Sequence, residues 1–414
     1  MLLLFNSLIF IIIILSFFFH KKQRNRYFVG ATIILFYFIY IHLAPTVIYF
    51  NQHEVDKYLI ISIQLKYFIF FAFPVILFSN PKNKFLPKFK KVKLNRFSSL
   101  LLLLFILSFY FIAISNGVFY RRLGMGIVEK IQTLSFINKL LYQLYFYSYI
   151  PIIIFLLYVS KNGFKGLDIP SKIFVFLSIL YAFVNSRIEV LIILIAILSL
   201  RYNEKVFSIN KRNISFLVVA ILSILLITSI RNGFFINDGR IGYDITLIDK
   251  GNNENSILKR ADGIDYELKI RRSNFSPPQS TDYLTHQFKM LPLVGNDSYI
   301  NKRKKEGTTS GKIYLLNKTL GYTLTDTYSC ILSDISIGVG YLGILCISIL
   351  FTFLIRICYY LKASKYITRQ IIFISIFSSI IFFELDLISI LKRMIISMII
   401  LTTFFNKYFI NYEQ

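Results

Sequence analysis

Cysteine and charged residues are scarce in this chain, and each shortage removes a class of protein. Only 16% of the residues are charged and 56% are hydrophobic, which excludes an ordinary soluble protein. The three cysteines, Cys330, Cys346 and Cys358, lie at or inside one late apolar run, without the spacing of a metal site or a disulfide framework. We interpret them as small apolar packing residues.

The start of the chain lacks the marks of a cleaved signal peptide. Residues 1–19 have neither a basic first region nor a small-residue cleavage site, and the basic stretch HKKQRNR follows them. We therefore expect a retained first membrane helix with its N-terminus outside.

Long apolar runs are abundant instead. Runs near the ~20 residues needed to cross a bilayer recur from end to end. The net charge of +26 lies mostly in short basic connectors, and residues 80–96 carry no acidic side chain. This is the positive-inside pattern, so the charge reports membrane topology and not nucleic-acid binding. The sequence predicts an all-α polytopic membrane protein.

The basic connectors thread about eleven helices through the membrane, with the N-terminus periplasmic and the C-terminus cytoplasmic. Helices 1–8 fall within residues 1–230, a large extracytoplasmic loop covers 231–328, and helices 9–11 fall within 329–414. The expected helices cover about 1–19, 27–50, 58–79, 97–114, 141–159, 172–184, 190–200, 214–230, 331–357 and 370–388, and a last helix ends near Phe409 after an outer turn at Leu391–Arg393.

The polar segment 231–328 is the one stretch large enough to form structure outside the membrane. It holds eleven of the 21 acidic residues, and prolines and glycines divide it into short pieces. We expect a few short helices over the outer membrane face. One of them is an amphipathic helix at 257–272, where apolar residues recur at helical spacing.

Arg187 interrupts an apolar run at a polar break. The run 180–200 stops at Asn185-Ser186, presents Arg187 and Glu189, and resumes, so two short helices meet there. The structural interpretation is an interfacial arginine paired with Glu189 or with lipid headgroups. We favour the functional one, a phosphate ligand, because charge in a membrane is costly and the arginine fork fits phosphate oxygens bidentately.

The polar segment supplies further candidates. Arg231, where helix 8 leaves the membrane, and Arg260, on the edge of the amphipathic helix, are candidate phosphate ligands, or else ordinary surface arginines. Asp265 is the favoured general base, ahead of Asp262, because it flanks the apolar stripe away from Arg260 and is left free for substrate. His286 is the segment's one histidine and ranks below the carboxylates, since a lone histidine is more often structural.

Three other patterns point elsewhere. GVGYLG at 338–343 matches GxGxxG but opens a membrane helix without a βαβ unit, so close helix packing explains it better than a dinucleotide site. Glu54 and Asp56 form a diacidic pair in the first outer loop, of the kind that holds a metal in some lipid-sugar transferases. Lys66 is a charge well inside a helix, as in transporters. No metal or cofactor is assigned.

Together these features resemble the O-antigen polymerase (Wzy-type) family nearly end to end. The resemblance is carried by the eleven expected helices, the Ser186-Arg187 break before an aliphatic helix, Arg231 opening one dominant outer loop, the Arg260-x-Asp262 stretch and the glycine-rich 338–343. It implies a fold like that of the GT-C-type polymerases and ligases, in the bacterial inner membrane.

The resemblance also implies a reaction. A growing glycan would pass from undecaprenyl pyrophosphate to a sugar hydroxyl of another lipid-linked repeat unit, in O-antigen or capsule synthesis, without a metal or cofactor. Arg187, Arg231 and Arg260 would bind the pyrophosphate, and Asp265 or His286 would act as base. The implied partners are the undecaprenyl-pyrophosphate-linked oligosaccharide, membrane lipid and a chain-length regulator protein, with no nucleic acid.

Two alternatives stay open. A flippase or other transporter of polysaccharide units would also have many helices, with its site near the midplane. A metal-dependent lipid-sugar glycosyltransferase would use Glu54 and Asp56.

Overall fold

The structure is a computed structural model, and it describes the greater part of the chain. The described residues are 1–19, 28–50, 54–78, 93–94, 96–116, 134–160, 163–185, 189–190, 192–197, 234–237, 240–243, 262–272, 280–290, 297–306, 314, 317, 330–362, 367–382, 387–405 and 409–410.

Helices dominate these residues. In chain order they are α1 (Leu2–Phe19), α2 (Phe28–Phe38), α3 (Ala44–Ile48), α4 (Glu54–Tyr67), α5 (Phe73–Phe78), α6 (Arg96–Ser115), α7 (Phe136–Val159), α8 (Ile169–Asn185), α9 (Asp265–Arg272), α10 (Ser280–Lys289), α11 (Asp297–Lys305), α12 (Ile331–Val339), α13 (Tyr341–Lys362), α14 (Ile367–Ile380) and α15 (Leu387–Phe405). Two short antiparallel pairs join β1 (Lys93–Leu94) to β4 (Phe409–Ile410) and β2 (Phe234–Asn237) to β3 (Arg240–Tyr243).

Within the described residues, six helical stretches are long and apolar enough to cross a membrane. These candidate spans are Val29–Ile48, Asp56–Phe78, Arg96–Ser115, Phe136–Tyr158, Tyr341–Leu361 and Leu387–Phe405. Shorter apolar helices cover Leu2–Ile13, Ile169–Phe183 and Ile367–Ile380. A multi-pass membrane protein, as expected from the sequence, is the architecture that these helices support.

The chain divides into two compact units. Unit 1 comprises Met1–Lys84, Ile257–Tyr359 and Ile380–Lys392. Unit 2 comprises Phe85–Ser256, Tyr360–Ser379 and Arg393–Gln414.

In unit 2, helices α6, α7 and α8 pack through buried aromatic rings. Phe109 stacks on Tyr145 with ring centroids 3.8 Å apart. The Tyr145 hydroxyl donates to Ser178 Oγ at 2.9 Å, and the hydroxyls of Tyr142 and Tyr181 are 3.0 Å apart. A buried tyrosine contributes apolar area but needs a partner for its hydroxyl, and these rings find one across the helix interfaces.

In unit 1, two candidate spans contain a π-helical turn. The first turn, Ile39–Leu43, joins α2 to α3, and the second, Phe68–Ala72, joins α4 to α5. At the first turn the buried His42 lies between Asn6 Oδ1, 2.5 Å from Nδ1, and the Tyr37 hydroxyl, 2.9 Å from Nε2. Such turns are wider than an α-helix and concentrate at functional positions.

The helix expected at 331–357 is broken. It divides into α12 and α13 at Gly340, whose φ of +80° favours glycine. The close packing expected of the neighbouring glycines is confirmed, because a Cβ on Gly338 would lie 2.5 Å from the Tyr283 ring of α10. A side chain there would displace α10 from α12.

The outer turn expected at Leu391–Arg393 is wrong. These residues lie inside α15, which starts at Leu387, and Arg393 is 1% exposed. The sequence argument took a basic cluster for a connector. A basic residue can enter a helix bundle when a carboxylate lies opposite, and such a carboxylate is present.

The polar segment 231–328 forms short helices, as expected. Helices α9, α10 and α11 come from this segment, and a hairpin of β2 and β3 precedes them. The helix expected at 257–272 is shorter than the pattern indicates, since residues 262–264 are not helical and α9 starts at Asp265. The angular relation expected between Arg260 and Asp265 on one helix therefore does not hold.

Candidate functional site

Helix α9 has the charge order that favours a short helix. Acidic residues occupy its first turn and basic residues its last turn, which matches the helix dipole. The Asp262 carboxylate accepts the backbone N–H groups of Ile264 at 3.1 Å and Asp265 at 3.2 Å, as an N-cap residue does. An eight-residue helix is marginal alone, so its contacts with the spans stabilise it.

Glu267 is the central contact between α9 and the spans of unit 1. Its side chain is 1% exposed. The carboxylate accepts hydrogen bonds from the Tyr67 hydroxyl, from the Arg271 guanidinium and, at 3.1 Å, from the Tyr341 hydroxyl. Donors from α4, α9 and α13 thus converge on one buried carboxylate, which is how a charge is accommodated away from water.

Two cations lie around the Tyr341 ring. Lys66 Nζ is 4.9 Å from the ring centroid, and the Arg271 Cζ atom is 5.9 Å from it. Arg271 also donates to the Tyr341 hydroxyl. Lys66, a lone charge by sequence, is therefore part of a cluster, which we call the Glu267 cluster: Lys66, Tyr67, Glu267, Arg271 and Tyr341.

Asp262 and Asp265 form a second acidic pair beside Tyr49. Burial, and secondarily the Asp265 carboxylate, raises the pKa of Asp262 to about 7. A carboxyl group with such a pKa can accept and return a proton near neutral pH. The same burial and both carboxylates raise the pKa of Tyr49 far above its usual range.

Asp265 is not left free for substrate, contrary to expectation. Its carboxylate pairs with Lys269 Nζ at 2.6 Å and accepts a hydrogen bond from the Tyr49 hydroxyl at 3.1 Å. The helical position that was expected to isolate Asp265 from Arg260 places it one turn before Lys269 instead. Asp262, ranked lower by sequence, has the more buried carboxylate of the two.

Gly263 docks the chain before α9 into the first π-helical turn. Its N–H donates to the Tyr40 carbonyl at 2.9 Å. In the π register Tyr40 would pair with Pro45, which has no N–H, so its carbonyl is open to an outside donor. A Cβ at Gly263 would lie 2.9 Å from Cys330 Sγ and 3.0 Å from the Tyr40 oxygen, and only glycine fits this approach.

His286 lies in an aromatic cluster within unit 1. It is 1% exposed, its ring stacks on Tyr314 at 4.0 Å and 3°, and Nδ1 is 2.9 Å from the Tyr299 hydroxyl. The Arg303 guanidinium lies over both tyrosine rings. This environment matches the structural interpretation of a lone histidine more closely than that of a solvent-accessible base.

Unit 2 contains a buried ion pair. Glu189 and Arg393 are 3% and 1% exposed, and Arg393 Nη2 lies 3.7 Å from Glu189 Oε1. The Tyr149 hydroxyl donates to Glu189 Oε2 at 2.5 Å, and the Arg393 guanidinium faces the Phe146 ring at 5.7 Å. Charge buried to this degree inside a candidate span is rare and marks a functional position by default.

The three candidate phosphate ligands, Arg187, Arg231 and Arg260, lie outside the described residues. Glu189 follows Arg187 by two positions, and Arg393 and Tyr149 are described partners of its carboxylate. Of the diacidic pair, Asp56 bonds Arg272 at 3.0 Å. Within the described ranges, no group of three or more histidine, cysteine, aspartate or glutamate residues could hold a metal ion.

Sequence reasoning missed Glu267 and Arg393. Glu267 is one of eleven acidic residues in the polar segment, and its partner Tyr67 lies 200 positions away. Arg393 had a detectable signal, since Leu387–Phe405 contains no helix breaker around it. In comparisons with known proteins, no family model, no curated protein and no solved structure matches this chain.

Proposed function

We propose that this chain is a membrane glycosyltransferase of the O-antigen polymerase type. It transfers a growing glycan from undecaprenyl pyrophosphate to a sugar hydroxyl of another lipid-linked repeat unit. The polar segment 231–328 lies on the periplasmic side of the bacterial inner membrane, with the N-terminus on that side and the C-terminus in the cytoplasm.

One observation carries this proposal: a carboxylate-rich part of the polar segment is held directly against candidate membrane spans. Asp262 and Asp265 contact Tyr49, which directly follows α3, and Glu267 contacts Tyr67 of α4. The lipid carrier holds its sugar beside the spans, so a base for the sugar hydroxyl has to reach them. Asp262, with a pKa of about 7, has the proton affinity suited to this step.

The negative charge of the leaving group accounts for the three candidate arginines. A departing lipid pyrophosphate develops negative charge, which fixed guanidinium groups stabilise without reorganisation. Arg187, Arg231 and Arg260 supply that charge under this proposal. Glu189, two residues after Arg187 in the sequence, is held by Arg393 and Tyr149.

The decisive experiment is the banding pattern of the surface polysaccharide in a deletion strain. Removal of a polymerase leaves single repeat units attached to the lipid core, because the units are still made and exported. Complementation with Arg187→Ala or Asp262→Asn should keep that single-unit pattern at normal protein levels. Lys269→Ala removes a solvent-exposed charge from the helix that carries Glu267, and it should restore the full ladder of polymer bands. A full ladder from both site variants would contradict the assigned roles.

A flippase or other transporter is the second candidate. Its support is Lys66, one residue from the middle of the span Asp56–Phe78, together with the buried pair Glu189–Arg393. Deletion of a flippase leaves no repeat unit on the core at all, so the same banding pattern separates the two candidates.

A further inference from the structure

Helix α9 reaches the middle of the candidate span Asp56–Phe78. Tyr67, which bonds Glu267, is the middle residue of this 23-residue span. At 1.5 Å per residue it lies about 16 Å from Asp56, while half of a bilayer core is about 15 Å. Arg272, at the other end of α9, bonds Asp56 at the start of the span. Helix α9 therefore extends from the membrane surface to mid-depth.

A second span gives the same depth independently. Gly263 bonds the Tyr40 carbonyl, eight residues before the end of the span Val29–Ile48. Eight residues of helix correspond to about 12 Å. At the end of this span, Tyr49 bonds Asp265. The chain before α9 thus also lies well below the surface.

The break at Gly340, between α12 and α13, lies at the same depth. Helix α13 runs parallel to the span Asp56–Phe78, because Ser348 Oγ donates to the Phe71 carbonyl at 3.1 Å and Arg356 Nε to that of Phe78 at 2.8 Å. Its first residue, Tyr341, lies beside Lys66. The Gly340 break, the two π-helical turns, Gly263 and Glu267 therefore occur together near mid-depth.

The charges at this depth need a polar environment. Arg271 is 34% exposed in its side chain and Lys66 is half-buried, so both face out of the protein packing. Hydrocarbon does not solvate such groups, and non-helical chain at membrane depth is tolerated only inside protein or beside a water-filled cavity. Among the described residues, two cations and one carboxylate surround Tyr341, leaving one positive charge in excess.

We propose that residues 262–272 form a re-entrant segment, which opens a water-accessible recess to the middle of the membrane in unit 1, and that Lys66 and Arg271 bind an anionic phosphate group there. Lysine and arginine side chains whose Nζ and Cζ atoms lie 4.9 and 5.9 Å from the centroid of one tyrosine ring can both donate to the oxygens of a phosphate group. The phosphate comes from a lipid headgroup or from solution. A lipid source rests on the proposed function, whereas the recess and its anion site do not.

The absence of tryptophan from the chain provides a clean test. Tyr341→Trp places the only indole in the recess, and Phe353→Trp, at a side chain 59% exposed on the same helix, places it toward lipid. In phosphatidylcholine nanodiscs, aqueous iodide should quench the Tyr341→Trp fluorescence several-fold more than that of Phe353→Trp. Brominated lipids should show the reverse order. Equal quenching of both variants by brominated lipid, with no effect of iodide, would overturn the recess.

A second reporter covers the case in which Tyr341→Trp does not fold. Phe70 stacks on Tyr341 with ring centroids 5.8 Å apart, so Phe70→Trp samples the same recess while keeping the tyrosine hydroxyl. The same two quenchers and the same Phe353→Trp reference apply.

The anion site is tested with the same tryptophan reporter, Tyr341→Trp or Phe70→Trp. Inorganic phosphate in one arm, and phosphatidic acid added to the nanodiscs in the other, should protect the indole from iodide. Lys66→Gln should abolish the protection and Lys66→Arg should retain it. Protection by phosphatidic acid alone identifies a lipid source, and protection by inorganic phosphate alone a soluble one. No protection in either arm, or protection unchanged by Lys66→Gln, would overturn the site. Purified protein suffices, so failure here is distinct from failure of polymer formation.

Discussion

Glu267 in unit 1 and Glu189 in unit 2 are both buried carboxylates, and they are accommodated differently. In unit 1, Glu267 accepts hydrogen bonds from two tyrosines and an arginine, and that arginine is 34% exposed in its side chain. In unit 2, Glu189 is held by one tyrosine and by Arg393, which is 1% exposed. Glu267 thus retains a connection to solvent through Arg271, whereas Glu189 and its arginine are both enclosed.

This difference predicts in which unit the loss of one charge reduces stability more. When one member of an enclosed pair is removed, the other keeps its charge without a counterion and without water. When one donor of a multiply bonded, partly accessible carboxylate is removed, the other donors and water compensate. The enclosed pair should therefore be the more sensitive of the two.

Arg393→Met tests the enclosed pair and should have the largest effect. It removes the cation described beside the buried Glu189, and we expect a loss of about 3–5 kcal/mol in the free energy of unfolding. Unfolding in mixed micelles, followed by near-ultraviolet circular dichroism, measures it. The double variant Glu189→Leu with Arg393→Met should recover most of the loss, since no charge remains. A single variant as stable as the parent would mean that Glu189 is not charged.

The acidic pair of unit 1 predicts a pH dependence. Because burial raises the pKa of Asp262 to about 7, the folded state binds this proton more tightly than the unfolded state. Its stabilising contribution is present below pH about 4 and is lost as the pH rises to about 7. From pH 5 to pH 8 the free energy of unfolding should fall by on the order of 2–3 kcal/mol. Asp262→Asn keeps a capping oxygen and should flatten this dependence.

Gly263→Ala tests the docking of the re-entrant chain. The added methyl group meets Cys330 Sγ and the Tyr40 carbonyl at about 3 Å, so the chain before α9 must shift. We expect a loss of about 2 kcal/mol in the same unfolding measurement. Gly263→Ala combined with Cys330→Ala relieves one of the two contacts and should recover part of it. An unchanged stability would show that this approach is looser than described.

Arg271→Met tests the accessible carboxylate and should have a smaller effect than Arg393→Met. Tyr67 and Tyr341 still donate to Glu267, so the expected loss is about 1–2 kcal/mol. Lys269→Met is the matched control on the same helix, where an exposed pair contributes at most about 0.5 kcal/mol. If Arg271→Met costs as much as Arg393→Met, the contrast between the two units is wrong.

Apolar runs and basic connectors were sufficient to predict a multi-pass helical protein and short helices in the polar segment. Hydropathy is a local property, so the four candidate spans between Val29 and Tyr158 lie close to the positions that the apolar runs predict. The same local logic failed at Arg393, where positive charge was assigned to a connector. The distant Glu189 helps to make that position tolerable, and one sequence does not reveal the pairing.

The candidate site was less predictable than the helices. Asp265, chosen because a regular helix would isolate it, is bound by Lys269 and Tyr49, since the helix starts later than its apolar pattern suggests. Glu267 could not be distinguished from other acidic residues, because its burial depends on Tyr67 and Tyr341. Arg187, Arg231 and Arg260 stay predictions.

The open carbonyl of Tyr40 imposes an order on the biogenesis of the protein. Pro45 leaves this oxygen without a donor from its own helix, and the donor that reaches it, the N–H of Gly263, is synthesised more than 200 residues later. The π-helical arrangement of the span Val29–Ile48 therefore lacks this donor until residue 263 has been made. This early span remains incomplete through most of synthesis, and it is finished only when a late part of the chain folds back into it.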